Sequence, residues 1–222
     1  VFALVALGAV GLVARYGLTT PDRPLSSWLN DDQRARLTEL AGRLGIDMAQ
    51  LEMMRPWLAG LTLSMAPTRN SGFDPDQGVD RRVDAAARAA GKQMRALETA
   101  EQQLQFFAHL SDEAQTQMLV ESLDEAENAA EEWNKLNSAW ERGDLRRLER
   151  YVVIDTKRQY PELYDVMFAR RNTAWAQQLA HELEGAGVDF VTVGAGHLLG
   201  PDSVIAQLRA RGYQVRRVGA ED

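Results

Sequence analysis

No cysteine occurs in the 222 residues, so neither a disulfide framework nor a thiolate metal site is open to this chain. Any metal has to be held by histidine, carboxylate or backbone oxygen, and histidine is itself scarce, at three residues. Basic charge is short as well: 25 Lys and Arg stand against 32 Asp and Glu, a formal net charge of −7. That balance argues against a nucleic-acid partner, which needs a basic face for phosphates. The Arg pairs at 81–82, 146–147 and 216–217 mostly have acidic residues close by and read as solvated faces. Long apolar runs are also missing. The one that opens the chain stops at Arg15, short of the roughly 20 residues that span a bilayer. It has the length of a signal-peptide core but lacks the preceding basic residues. We read it as a buried helix, with a remnant of an export or anchor segment as the second reading, so membrane association stays open. A Gly-x-Ser-x-Gly elbow is absent too, which speaks against a serine hydrolase.

What is present is mostly helical pattern. Asn30 with Gln33 forms a capping-box signature, followed by Leu37, Leu40 and Leu44 at helical spacing and Gly45 as a stop. Leu51, Met54, Leu58, Leu61 and Met65 suggest a further helix, with Pro56 forcing a kink or break. Ala66–Gln77 reads as a loop, residues 78–90 as an Ala-rich helix ending at Gly91, and residues 99–142 as amphipathic helices. Ser111 and Asp144 are cap candidates within and after that stretch. In the long helix from Tyr160 to Gly185, Met167, Ala174 and Leu179 are placed inward.

The last segment carries the sharpest pattern. Val188–Val193 reads as a strand, Gly194-Ala195-Gly196-His197 as a tight loop, Pro201 and Asp202 as a first helical turn, and Tyr213–Val218 as a second strand. Such a β-loop-α-β unit belongs in a parallel sheet with helices on both sides, and sites in open sheets lie at the carboxyl ends of strands. His197 is therefore the first candidate, as metal ligand or proton shuttle, with Gly194 and Gly196 letting the backbone turn and approach a ligand. The bland alternative is a histidine that hydrogen-bonds neighbouring backbone. A dinucleotide loop would need a third glycine at position 199, where leucine stands. Glu98 is the second candidate, after a short stretch, Gln93–Leu97, that could be a strand; its alternative is an acid complementing a helix dipole. Arg171 and Asn172 lie on the helix before the last strand-like segment. Arg171 could pair with Glu98 or grip an anion, or form a surface ion pair. His109 and His181 have no ligand spacing and read as structural.

These residues, taken together and in order, resemble a known family. Phe190-Val191-Thr192-Val193-Gly194-Ala195-Gly196-His197-Leu198-Leu199-Gly200, followed by Leu208–Tyr213, is similar to the C-terminal signature of TraB/GumN proteins. Arg55-Pro56-Trp57, Gly78-Val79-Asp80, Gly91-Lys92, Leu97-Glu98-Thr99 with Glu101-Gln102, Trp140 with Gly143-Asp144, and Arg171-Asn172 with Trp175 resemble the preceding motifs. The family in turn resembles Tiki proteases and the ChaN/erythromycin-esterase-like proteins. The resemblance implies one α/β domain over residues 1–222, mostly helical around a small central sheet, with a helical insertion over about 99–160. It also implies a metal-dependent, peptidase-like hydrolase built from two Gly-x-x-His motifs and a glutamate. Gly194–His197 matches the second motif, which gives His197 and Glu98 as ligands of a divalent ion (Mn, Co or Zn), with Arg171 and Asn172 in the catalytic set. The first Gly-x-x-His is not found in the sequence, so strands and half of the site are expected upstream of Val1. The implied partner is a peptide or small-molecule substrate, and the implied location is the periplasm or beyond.

Two other readings stay beside this one. In the first, the chain is a non-catalytic module in which His197 and Glu98 hold the loop or a small ligand such as haem. In the second, a helical docking surface uses Trp133 and Trp140, which requires exposed aromatics.

Overall fold

The computed structural model describes the backbone of residues 9–69, 78–127 and 129–219. The chain divides into two compact units, residues 2–134 and 135–222. Both are helical, which corrects the α/β expectation: among the described residues there is no strand, and the only β pairing is an isolated antiparallel bridge between Leu18 and Met54.

The first unit contains α1 (Ala9–Gly17), α2 (Asp31–Leu44), α3 (Met48–Glu52), α4 (Pro56–Arg69), α5 (Val79–Ala89), α6 (Ala100–Ala108) and α7 (Asp112–Glu127). Local chemistry sets most of these ends. Asn30 and Gln33 make the reciprocal capping box at the start of α2, and Gly45 closes it in the left-handed region at φ 68°. Pro56 does break the helical run around it. It sits at the first position of α4, where its missing N–H costs nothing. The break also changes the helix phase, so Leu51, Leu58 and Leu63 are buried while Met65 is half exposed. Leu37, Leu40 and Ala41 of α2 join Leu51, Ala59, Leu63, Leu119 and Leu123 in one core. There α4 packs closely on α7, because Gly60 faces the Leu119 backbone and the Ser122 hydroxyl with no side chain to hold them apart. Arg55-Pro56-Trp57 supplies the other anchor. The Arg55 N–H donates to the Gly17 carbonyl at 2.8 Å. Trp57 is fully buried, stacks on Phe107 at 5.5 Å and donates from Nε1 to the Tyr16 carbonyl. The opening helix is less covered than expected: Val10 is 71% exposed, and residues 1–8 lie outside the described residues.

Next, α8 (Ala129–Glu141) leads to Gly143 and to Asp144, which caps α9 (Leu145–Glu149). A π-helical turn, Arg150–Ile154, joins α9 to α10 (Asp155–Gln159). A second, Asp165–Ala169, joins α11 (Pro161–Tyr164) to α12 (Arg170–Glu182). A 3₁₀ turn at Ala195–Leu198 and α13 (Val204–Ala210) follow. Ala139, Leu148, Val153, Tyr164 and Leu199 form the core of this second unit.

The segments expected as strands, 93–97, 188–193 and 213–218, are not strands here. A β-branched, aromatic stretch favours extended backbone, but a strand exists only where a neighbour completes the hydrogen-bond ladder. Val188 and Phe190 accordingly lie almost fully exposed, at 99% and 82%. Trp140 is 56% exposed, as a docking role would require, whereas the Trp133 side chain lies outside the described residues. Of the loop expected at Ala66–Gln77, residues 66–69 continue α4 and 70–77 lie outside the described residues. Among the described residues no helix is long and apolar enough to cross a membrane.

Candidate functional site

The second unit brings four of the sequence-derived candidates to His197. The imidazole sits in the 3₁₀ turn Ala195–Leu198 and is buried, at 8% exposure. Its Nδ1 lies 2.7 Å from Oδ1 of Asn172, on α12. The Asn172 amide is oriented by its other end, since Nδ2 donates to the Asp202 carbonyl at 2.9 Å. Oδ1 is therefore the atom facing the ring, and as an acceptor it requires the proton on Nδ1. Nε2 is left as the lone-pair nitrogen, with no hydrogen bond among the described residues. Trp175 and Phe168 flank the ring at centroid distances of 4.4 and 5.2 Å.

Electrostatics reinforce the neutral form. Burial, followed by the charge of Arg171, pushes the His197 pKa down to about 3. Arg171 is itself buried, donates from Nη1 to the Met167 carbonyl and lies over the Trp175 ring at 4.8 Å. The buried face of α12 is thus Arg171, Asn172, Trp175 and Ala176. This corrects the assignment of Ala174 to the inside; it is exposed.

The loop glycines act differently from the sequence expectation. Gly194 has φ −57° and needs no special backbone freedom. Gly196 is required for space, because a Cβ there would lie 2.8 Å from both Phe168 and Val152. We expect Gly196→Ala to destabilise the protein by about 1–3 kcal/mol through overpacking. Gly194→Ala should be nearly neutral, since its Cβ would meet only His197, at 3.7 Å. Urea unfolding of the pair checks this, and equal stabilities would refute it.

Three residues that the sequence did not assign to a site, Lys157, Tyr164 and Asp202, complete the surroundings. The Asp202 carboxylate accepts from Lys157 Nζ at 2.7 Å and Tyr164 Oη at 2.9 Å. Asp202 precedes α13 instead of opening it; Ser203 is the cap. No local signal links positions 157, 164 and 202, which come together only through packing.

Glu98 belongs to the other unit. It stands one residue before Thr99, the cap of α6, and accepts from Gln103 Nε2 at 2.9 Å. For the implied metal, this unit offers one suitable donor. A neutral imidazole with Nδ1 held by a carbonyl-type oxygen is the form in which histidine ligates metals. A catalytic centre, however, takes about three protein ligands, and no group of three His, Asp or Glu gathers among the described residues. These residues therefore do not make a metal centre by themselves.

Comparison with known proteins places the chain. The family model described as "TraB/PrgY/gumN family" matches residues 7–217. The uncharacterized protein YbaP of Escherichia coli (strain K12), and its namesake in Shigella flexneri, are each 25% identical over 210 residues, covering 90% of this chain and 77% of theirs. No solved structure matches. Matched over nearly its whole length, the chain belongs to the TraB/PrgY/gumN family.

Proposed function

We propose that this protein is a hydrolase of the peptidase-like type, in which His197 is the working side chain of the second unit. The observation that carries the reading is the ring's fixed, neutral state: Nδ1 is committed to Asn172, and Nε2 has no hydrogen-bond partner among the described residues. An imidazole with so low a pKa is a poor proton acceptor at neutral pH. It is suited instead to lend a lone pair, to a divalent cation or to a substrate N–H or O–H. The Trp175 and Phe168 rings keep bulk water from its faces, and Asn172 holds its plane. The peptide-like substrate is carried over from the family resemblance, as are the Mn, Co or Zn partner and the periplasmic or secreted setting.

The test is hydrolysis of a mixed peptide library, followed by mass spectrometry with and without added Mn²⁺, Co²⁺ or Zn²⁺. Turnover by the protein, reduced about a hundredfold or more in His197→Ala, is expected. Undiminished turnover in that variant, or none under any condition, would overturn the reading. Glu98→Gln, measured alongside, asks whether the carboxylate of the first unit takes part; a fall in kcat supports it.

A further inference from the structure

We propose that Asp202 is the positioning residue of the site: its carboxylate, clamped by Lys157 and Tyr164, fixes the main-chain carbonyl that orients Asn172 and thereby the ring of His197. The proposal deepens the functional reading above but stands on geometry of its own. Asp202 is bound in two directions. Its side chain accepts from Lys157 Nζ at 2.7 Å and Tyr164 Oη at 2.9 Å. Its backbone oxygen accepts from Asn172 Nδ2 at 2.9 Å and Gln207 Nε2 at 3.1 Å. The holds arise from separate elements: Lys157 from α10, Tyr164 from α11, Asn172 from α12 and Gln207 from α13.

The segment carrying Asp202 is short and lies outside any helix, between Gly200 at φ 80° and the Ser203 cap. One backbone hydrogen bond spans it, from the Ser203 N–H to the Gly200 carbonyl at 3.3 Å, and leaves the Asp202 carbonyl to side-chain donors. The carboxylate clamp adds to that restraint by tying Asp202 to α10 and α11, and a displaced carbonyl would leave the Asn172 amide free to turn. Tyr164 has a second link to the same ring, because it stacks on Phe168 at 5.6 Å and Phe168 flanks His197. Orientation of a histidine by a hydrogen-bonded partner, itself fixed by a further group, is how a site selects one ring nitrogen.

The experiment reads the ring directly. Protein labelled with ¹⁵N in its three histidines, kept metal-free at neutral pH, is examined by NMR, with His197 assigned by His197→Gln. The wild type is expected to show the Nδ1–H form alone. Asn172→Ala and Asp202→Ala should each shift the ratio of the two ring forms by about tenfold toward Nε2–H. Asp202→Asn, which keeps an acceptor for Lys157 and Tyr164, should retain the wild-type signal. If Asp202→Ala does not fold, the double variant Lys157→Met/Tyr164→Phe takes its place with the same expectation. An Nε2–H ring in the wild type, or an unchanged Nδ1–H ring in the variant lacking the clamp, overturns the proposal. Neither result depends on turnover, so absent hydrolysis with the expected ring form would sink the functional reading alone.

Discussion

Trp57→Ala should destabilise the protein by about 3–5 kcal/mol, the range for removing a buried aromatic side chain from a core. Trp57 is completely buried, stacked on Phe107, and it spends its indole N–H on the Tyr16 carbonyl. The truncation therefore removes packing, a ring contact and a satisfied donor, and it leaves a backbone acceptor without its partner. Neighbours cannot collapse easily into the space: Pro56 beside it is rigid, and Gly17 already approaches the Trp57 and Leu58 side chains closely. Trp57→Phe, which keeps the stacked ring and loses the hydrogen bond, should cost appreciably less. Chemical denaturation of the three proteins decides the matter. A loss below about 1 kcal/mol for the alanine variant would show that this anchor is not the centre it resembles.

The second large effect is a pH dependence of stability that belongs to His197. Its pKa is lowered from the ordinary 6.5 to about 3 in the folded protein, so between those values the unfolded chain binds a proton that the folded chain refuses. Stability is then fully present above pH 6.5 and falls as the pH drops toward 3. At 1.36 kcal/mol per pH unit, about 2.7 kcal/mol should be gone by pH 4.5. Carboxylates titrate in the lower part of the same range, so the measurement is a difference: unfolding free energies of the metal-free wild type and of His197→Gln at intervals from pH 7.5 to 4.5. The two curves should converge as the pH falls. Parallel curves would mean that the ring is protonated in the folded state or open to water. The other two histidines, His109 and His181, are exposed and are common to both proteins.

Where the sequence could be read, the signal was local. The Asn30–Gln33 box, Pro56 as a breaker, Gly45 as a stop and Asp144 as a cap are all decided within a turn of chain. Thr99-Ala100-Glu101-Gln102 carries the same box signature and is equally local. The two β-like segments illustrate the opposite case. Composition favours extended backbone at 188–193, yet pairing depends on a partner that composition cannot supply. The site lies between these extremes. His197, Arg171, Asn172, Gly194 and Gly196 were all named from the sequence, and the second unit gathers them. The inward face of α12 was misassigned for a definable reason: a seven-residue step from Met167 to Ala174 starts inside a π-helical turn, where the α period does not hold. The grouping of Lys157, Tyr164 and Asp202 was not legible, because they are 7, 38 and 45 residues apart in pairs and share no motif; Asp202 stood out only as a helix-start acid.

The two π-helical turns carry a consequence for how this site tolerates change in chain length. Arg150–Ile154 delivers Val152 and Val153 against Gly196 and Gly200, and Asp165–Ala169 delivers Phe168 against Gly196. Each wide turn holds roughly one residue more than an α-helix of the same rise. A one-residue deletion there would repair the regular period and leave an unbroken helix, a gain in local terms. It would also swing everything downstream by about 100°, so that in the second case Asn172 would turn away from His197. In this part of the fold, then, the irregular helix is the working arrangement, and perfecting its geometry would dismantle the site.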